Sequence, residues 1–257
     1  YQTISNANYN GYFNSSFARA GDLDGDGDLD ILSGIPKKWT TSQIVYELVW
    51  YKNDGTEHFG EKIRVFPPGL YIPVSTADIA DMNGDGKKDI VCLPITTIGT
   101  IAWIANDGAG GFGFPQFLSP SQSTYTFTLI DLDGDMDKDI LVTQDNGTNW
   151  YANDGSGHFG NPIFIASQAD YSDPLFAEDF DSDGDLDIIS GTAGWWAPNL
   201  GNNTFPQIKA LGSDLHPSDF ADLNQDGKPD LIGSDYAGLG WKPNLGGGVL
   251  GERIMLG

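Results

Sequence analysis

Five acidic runs of nine residues, starting 43 to 59 residues apart, constrain what this chain can fold into more than any other feature. They read Asp22-Leu-Asp24-Gly-Asp26-Gly-Asp28-Leu-Asp30, Asp81-Met-Asn83-Gly-Asp85-Gly-Lys87-Lys-Asp89, Asp131-Leu-Asp133-Gly-Asp135-Met-Asp137-Lys-Asp139, Asp179-Phe-Asp181-Ser-Asp183-Gly-Asp185-Leu-Asp187 and Asp222-Leu-Asn224-Gln-Asp226-Gly-Lys228-Pro-Asp230. Positions 1, 3, 5 and 9 carry carboxylates, with an amide at position 3 in the second and fifth runs, and position 7 offers a backbone carbonyl. This density of hard oxygen donors suits Ca²⁺, which takes six to eight of them in flexible geometry, better than Mg²⁺, which demands an octahedron. Without an ion the loop is frustrated, because two carboxylates about 4 Å apart repel by roughly 1 to 4 kcal/mol. The expected cofactor is therefore Ca²⁺, up to five ions, with the 25 residues at positions 1, 3, 5, 7 and 9 as candidate ligands.

The runs begin like EF-hand loops but do not continue like them. An EF-hand needs a bidentate Glu at position 12 and flanking helices; position 12 here is Ser33, Cys92, Val142, Ser190 and Gly233. Each run leads instead into a short branched stretch, Ile31-Leu32, Ile90-Val91, Ile140-Leu141, Ile188-Ile189 or Leu231-Ile232, which reads as a strand. Met136 stands where the other runs have Gly27, Gly86, Gly184 and Gly227. If that place needs φ > 0, Met is costly there, so the third loop is expected to be distorted or to bind more weakly.

Two more motifs follow each run. The first is a Trp turn: Trp50 to Asn53, Trp103 to Asn106, Trp150 to Asn153, Trp196 to Asn199 and Trp241 to Asn244, each Asn followed by Asp-Gly or Leu-Gly, which is turn chemistry. The second is a short closing strand near Lys62, Gln116, Ile163, Ile208 and Arg253. With a strand before each run, as in Phe17-Ala-Arg-Ala or Phe127-Thr-Leu-Ile, every repeat holds four strands. Five such repeats in 257 residues predict an all-β, five-bladed β-propeller of four-stranded antiparallel blades, with the acidic loops between first and second strands. The expected organisation is one domain over residues 1–257, with blades at about 17–66, 74–119, 125–167, 174–211 and 217–256, and 1–16 as a closing or extra strand.

The ordered recurrence of run, Trp turn and Phe-Gly resembles the FG-GAP/VCBS repeat family, which includes the calcium-loop blades of integrin α-subunit propellers and many secreted bacterial proteins. The resemblance covers nearly the whole chain. It implies Ca²⁺ binding by positions 1, 3, 5 and 9 of each run. Five blades are fewer than the seven usual in integrins, which leaves open a larger propeller completed by another chain. Tyr1-Gln-Thr-Ile4 and Glu252-Arg-Ile-Met255 compete for closing the last blade, and the unused one is a candidate joint for assembly.

Charge narrows the partner. The chain has 36 acidic and 13 basic residues, a net −23, of which the runs supply −17 through 21 Asp and 4 Lys. This argues against nucleic acid or an anionic membrane as partner, since both call for a basic footprint. No apolar stretch approaches the roughly 20 residues of a membrane span. Cys92 is the only cysteine, so there is no disulfide framework, and it reads as a small core residue. A start at Tyr1 rather than Met points to a processed secretory precursor or a trimmed chain. Calcium sites of extracellular modules, with Kd of about 10⁻⁴ to 10⁻³ M, are useful outside cells, so the expected location is extracellular or the cell surface.

In a propeller the acidic loops share one face, and the second-to-third strand loops and blade-to-blade connections share the other. The opposite face is where the repeats diverge: 20 residues separate Asp30 from Trp50, against 14, 11, 9 and 11 in the later repeats. Trp39, Tyr71, Tyr125, Tyr171 and His216, with Tyr9 and Tyr12, fall there as candidate ligand-binding residues. Exposed aromatic rings stack on sugars or anchor protein partners. The five repeated Trp residues are read as structural spokes, and Trp195 as a lesser candidate on the other side of its strand. His58 and His158 recur at one repeat position, and no Ser–His–Asp or zinc pattern assembles. The sequons at Asn14, Asn146 and Asn202 are of a number that chance supplies. The expected function is a lectin-like recognition or adhesion module that binds glycan or an extracellular protein. The alternatives are a structural subunit of a surface assembly, and the scaffold of a polysaccharide-degrading enzyme.

Overall fold

The computed structural model describes residues 17–38, 44–56, 58–95, 100–118, 122–167, 175–201 and 204–256. Trp39, Tyr171, Tyr9, Tyr12, the expected Tyr1–Ile4 strand and the sequon residues Asn14 and Asn202 lie outside them. Among the described residues there are twenty strands and no helix. Repeat 1 contains β1 (Ala18–Gly21), β2 (Asp30–Lys38), β3 (Ile44–Tyr51) and β4 (Ile63–Arg64). Repeat 2 contains β5 (Val74–Ala80), β6 (Asp89–Pro94), β7 (Ile101–Ile104) and β8 (Gln116–Leu118). Repeat 3 contains β9 (Thr124–Ile130), β10 (Asp139–Gln144), β11 (Gly147–Tyr151) and β12 (Ile163–Ala166). Repeat 4 contains β13 (Leu175–Glu178), β14 (Asp187–Ser190), β15 (Trp195–Ala197) and β16 (Lys209–Ala210). Repeat 5 contains β17 (His216–Ala221), β18 (Asp230–Asp235), β19 (Gly238–Lys242) and β20 (Ile254–Met255).

The strands form four sheets rather than the five separate ones expected. Repeats 3, 4 and 5 are each a four-stranded antiparallel meander, whereas repeats 1 and 2 share an eight-stranded sheet. The cause is the length of the first hairpin: β2 and β3 run nine and eight residues, where β14 and β15 run four and three. The added length carries β3 to the edge of β5, where one pair, Tyr46↔Val74, joins the two meanders. The chain divides into two compact bodies: residues up to Thr124 with Asp154–His158, and Tyr125–Asn153 with Phe159 onward.

A single register recurs in all five repeats. The second residue after each run faces the repeat Trp across the central hairpin: Leu32↔Trp50, Val91↔Trp103, Leu141↔Trp150, Ile189↔Trp196 and Ile232↔Trp241. A branched chain against a large ring buries much apolar area on one side of the pleat. Four of these Trp residues are buried, as the structural reading expected; Trp241 is half-buried. In the first body Trp50 packs edge-on against Phe112 of repeat 2, with ring centroids 6.5 Å apart. In the second, Trp196 packs on Phe180, which also touches Phe220 of repeat 5. Cys92 is fully buried in β6, and burial pushes its thiol up to about 12, so it is an unreactive core residue.

Candidate functional site

Each run folds as a turn wrapped around its own carboxylates. The position 1 carboxylate accepts the N–H of position 6 in every copy: Gly27 to Asp22 at 3.0 Å, Gly86 to Asp81 at 2.8 Å, Met136 to Asp131 at 3.0 Å, Gly184 to Asp179 at 3.1 Å and Gly227 to Asp222 at 2.9 Å. The position 5 carboxylate accepts the N–H of position 7, from Asp28, Lys87, Asp137, Asp185 and Lys228 to Asp26, Asp85, Asp135, Asp183 and Asp226, at 2.9 to 3.0 Å. Position 6 sits at positive φ throughout, including Met136 at 77°. The distortion expected of the third loop is absent, because Met136 takes the left-handed conformation, keeps its hydrogen bond and turns its side chain into solvent.

Position 9 has a role that the sequence reading missed. These five Asp residues are fully buried, and both oxygens of each accept backbone N–H groups. One comes from position 2 of the same run: Leu23, Met82, Leu132, Phe180 and Leu223, at 2.9 to 3.1 Å. The other comes from the Asn of the Trp turn: Asn53, Asn106, Asn153, Asn199 and Asn244, at 2.8 to 2.9 Å. The same Asn side chain donates back to the carbonyl of position 8, on Leu29, Lys88, Lys138, Leu186 and Pro229. Position 9 and the Asn thus clamp the acidic loop onto the turn. The Asn amide can also reach the run before: Asn106 donates to the Leu23 carbonyl at 2.9 Å, and Asn244 to the Phe180 carbonyl at 2.8 Å. These Asn residues looked like turn formers; their place twelve to twenty-three residues after position 9 in every repeat was the available signal.

Electrostatics distinguishes the runs. In three of them three carboxylates can bring an oxygen each within 4.8 Å of one another: Asp22, Asp24 and Asp30; Asp131, Asp133 and Asp139; Asp179, Asp181 and Asp183. Burial and the neighbouring charges of Asp135 and Asp131 raise the pKa of Asp133, and burial with the charge of Asp183 raises that of Asp181. Burial pushes Asp139 up to about 6 and Asp187 up to about 7, and raises Asp30 and Asp89. Run 1 contains its own counter-ion: the Lys52 ammonium pairs with Asp24 and lies 2.9 Å from Asp26, whose pKa it lowers. In runs 2 and 5 the Lys87 and Lys228 side chains fold back to Asp85 and Asp226 at 3.4 and 3.2 Å.

These residues fit a hard cation. The Oδ1 atoms of Asp24 and Asp181 are buried with no hydrogen-bond donor, and a buried carboxylate oxygen left so is costly unless something positive faces it. When bound, the ion would supply the charge that separates the crowded carboxylates. Positions 1, 3 and 5 have oxygen lone pairs to offer it; position 9 builds the loop and, at Asp30 and Asp139, also lies within reach of the group.

The expected ligand-binding residues scatter. Tyr71 is half-buried, and burial raises its hydroxyl pKa. Tyr125 is half-buried at the start of β9 and donates to Asp145 in the β10–β11 turn. His216 is exposed at the start of β17, paired with Ser234. Two residues beyond Ser234 is a residue the sequence did not flag, Tyr236, fully exposed in the β18–β19 turn. Below Tyr236, Arg253 forks onto Asp235 at 2.7 and 2.9 Å and holds its carboxyl down at about 2, while Lys242 binds Asp214 at 2.7 Å. Trp195 is buried in the second body's core and offers no surface. His58 and His158 each sit on a turn clasp. The Thr56 and Ser156 hydroxyls donate to Asp54 and Asp154 at 2.6 Å, so the hydroxyl proton goes to the carboxylate and not to the imidazole. A nucleophilic hydroxyl would need the reverse. Among the described residues no helix is long and apolar enough to cross a membrane.

Comparison with known proteins agrees with this architecture. No curated protein matches the sequence. Among solved structures, the chain is similar to an Agrocybe aegerita lectin described as recognising non-reducing terminal N-acetylglucosamine, with a TM-score of 0.67 and 22% identity over 95% of this chain and 66% of that one. It is also similar to the Vibrio cholerae biofilm matrix protein Bap1, with a TM-score of 0.53 and 18% identity over 92% of this chain and 38% of that one. The chain spans less than two thirds of either, and what is shared is a fold of propeller type. The FG-GAP-like repeat matches four times in succession, over residues 22–92, 81–142, 131–190 and 179–233, each match running from one acidic run through the next. With those matches covering most of its length, the chain belongs to the FG-GAP-like repeat family.

Proposed function

We propose that this protein is a calcium-stapled, five-bladed β-propeller that acts outside the cell as a recognition or adhesion module for glycans. The observation that carries the reading is the contrast between the two ends of each sheet. At the run end, five copies repeat the same carboxylate-to-backbone bonds, with buried Asp oxygens left for a cation. At the hairpin end the copies diverge: the strands run nine and eight residues in repeat 1 but four and three in repeat 4, and although repeats 3 and 5 share strand lengths and a two-residue turn, their turn side chains differ, Asp145-Asn146 against Tyr236-Ala237. A constant end holds the frame, and a variable end is where selectivity resides.

The strongest recognition surface is the hairpin end of the fifth sheet, where Tyr236 and His216 stand beside the Asp235–Arg253 fork. A flat exposed ring next to fixed donors and acceptors is how proteins grip a sugar, stacking on its apolar face while hydrogen bonds read its hydroxyls. Trp39, from sequence alone, is a second candidate anchor. The fold shared with a lectin and a biofilm matrix protein makes glycans the first class to test. A glycan array that includes terminal N-acetylglucosamine, probed with and without chelator, should give hits that Tyr236→Ala weakens at least tenfold. An array with no hits, or hits untouched by Tyr236→Ala and Trp39→Ala, would overturn the reading.

A further inference from the structure

Two departures from the repeat pattern meet in the second body, where repeat 3 packs on repeat 4. The first is a pair of threonines. Thr143 of β10 and Thr148 of β11 are cross-strand partners and fully buried. The same places hold Leu93 and Ile101 in repeat 2, and Leu48 stands at the place of Thr148 in repeat 1, all buried. An aliphatic side chain therefore suits the position, and valine has the branched shape of threonine without its hydroxyl. Yet each threonine carries an Oγ1 atom that is buried with no hydrogen-bond partner, a costly state for a hydroxyl.

The second departure is Trp195. Its place, one residue before the repeat Trp, holds Val49, Ala102, Asn149 and Gly240 in the other repeats. Trp195 is buried, and its indole N–H has no acceptor. The buried N–H groups of Trp103 and Trp150 differ, because each has the position 9 carboxylate of its own repeat beside it, Asp89 or Asp139. The two departures share one seam. Alternation along the strands puts Thr143 with Leu141, and Thr148 with Trp150, on one side of the third sheet, and Ala166 pairs with Thr148 across β11 and β12. Leu141, Trp150 and Ala166 belong to the same buried cluster as Ile188, Trp195 and Ala197 of repeat 4. Two hydroxyls and one indole N–H, all buried and unpaired, thus line the seam from its two sides.

We infer that the seam between repeats 3 and 4 is a binding site for an internal water, held by Thr143, Thr148 and Trp195. Chemistry defines the occupant. An indole N–H only donates, whereas a hydroxyl both donates and accepts. The occupant must accept from the indole and exchange hydrogen bonds with two hydroxyls. A water does this within the roughly three bonds usual for a buried one. A cation would face the indole hydrogen, and an apolar molecule would leave all three groups unpaired. The two exceptions to the repeat then explain each other: the ring brings a donor, and the threonines bring the groups that share the water with it. The site lies just inside the β10–β11 turn, away from the acidic runs, so it depends neither on calcium nor on what the hairpin end binds.

The test uses the full chain. In water-selective NMR the Trp195 indole proton, assigned by its loss in Trp195→Phe, should show a cross-peak to water with the sign of a bound molecule. Thr148→Val should weaken that cross-peak and lower the melting temperature, and Thr148→Ser, which keeps the hydroxyl, should retain the cross-peak. The melting-temperature losses of Thr148→Val and Trp195→Phe should overlap, so that the double variant loses less than their sum. Three results overturn the proposal. The first is no such cross-peak in the unchanged chain, which decides even if a variant fails to fold. The second is a melting temperature that holds or rises in Thr148→Val, as removal of a merely orphaned hydroxyl requires. The third is losses that add in full, which would place the threonine and the ring on separate sites.

Discussion

Runs 4 and 5 make the same bonds with different charge. In both, position 6 caps position 1, position 7 caps position 5, and the buried position 9 carboxylate accepts from position 2 and from the Trp-turn Asn. Yet run 4 is acidic at all five alternating positions, with Asp181 carrying a buried oxygen that nothing satisfies, while run 5 has Asn224 at position 3 and Lys228 reaching back to Asp226. The loop's shape and its appetite for a cation are therefore set by different residues. Shape comes from backbone N–H groups closing on positions 1, 5 and 9. If the runs hold calcium as proposed, affinity should follow position 3 and whichever cation the sequence already supplies. Runs 3 and 4 should then bind most strongly, and runs 1, 2 and 5, each with a lysine against its carboxylates, more weakly.

The sharpest way to break the comparison is to attack the shared frame. Asp187→Ala takes the acceptor from three backbone N–H groups in a fully buried place, those of Phe180, Asp181 and Asn199, at about 1 to 3 kcal/mol for each of the two shorter bonds, to Phe180 and Asn199. The loss of stability should be about 2 to 6 kcal/mol by urea denaturation, and Asp230→Ala should cost a similar amount despite the weaker site it belongs to. A small effect in either would show that position 9 is a ligand and not a strut.

Next comes the ion itself. A site with a Kd of about 10⁻⁴ to 10⁻³ M is stabilised by about 0.4 to 1.4 kcal/mol in millimolar Ca²⁺, so over several loops millimolar Ca²⁺ should raise the melting temperature over chelated protein in calorimetry. Asp133→Asn and Asp181→Asn should each remove more of that rise than Asn224→Ala, and Lys52→Met should add to it by freeing Asp24 and Asp26. An unchanged melting temperature would sink the calcium reading.

Acidity offers a third handle. Asp139 and Asp187 hold their protons more tightly in the fold than in the unfolded chain, up to about 6 and 7 against an ordinary 3.8, chiefly through burial. The metal-free fold therefore binds more protons than the unfolded chain between about pH 4 and 7, and the contribution of these groups to stability is lost as pH rises through that window. The urea midpoint of chelated protein should fall from pH 4 to 7, and saturating Ca²⁺ should flatten the fall. The smallest effect should come from Met136→Gly. It relieves a left-handed methionine at φ 77° and should stabilise by about 1 kcal/mol, without changing which loops respond to calcium.

Much of this was legible in the sequence because it repeats. The strand after each run, the Trp strand facing it and the short closing strand all lie where five parallel copies of one pattern put them. What was hidden depended on long-range geometry. The joining of repeats 1 and 2 turns on one pair between Tyr46 and Val74 that no local pattern announces. Position 9 read only as a ligand, because composition cannot say that both its oxygens also accept backbone N–H groups. Tyr236 stood out only once the β18–β19 turn was seen to push it into solvent, whereas Trp195, adjacent to a spoke Trp, proved to be core.

The Asn that follows each Trp has one hydrogen on its own repeat and, at Asn106 and Asn244, a second on the repeat before. The bond points backward along the chain, which gives the array a direction in time as well as space. As the polypeptide leaves a ribosome or a secretion pore from its N-terminus, a repeat joined in this way stays unlatched until the turn of its successor has emerged. Such repeats lock one behind the other, and a pause in synthesis or export leaves only the newest open.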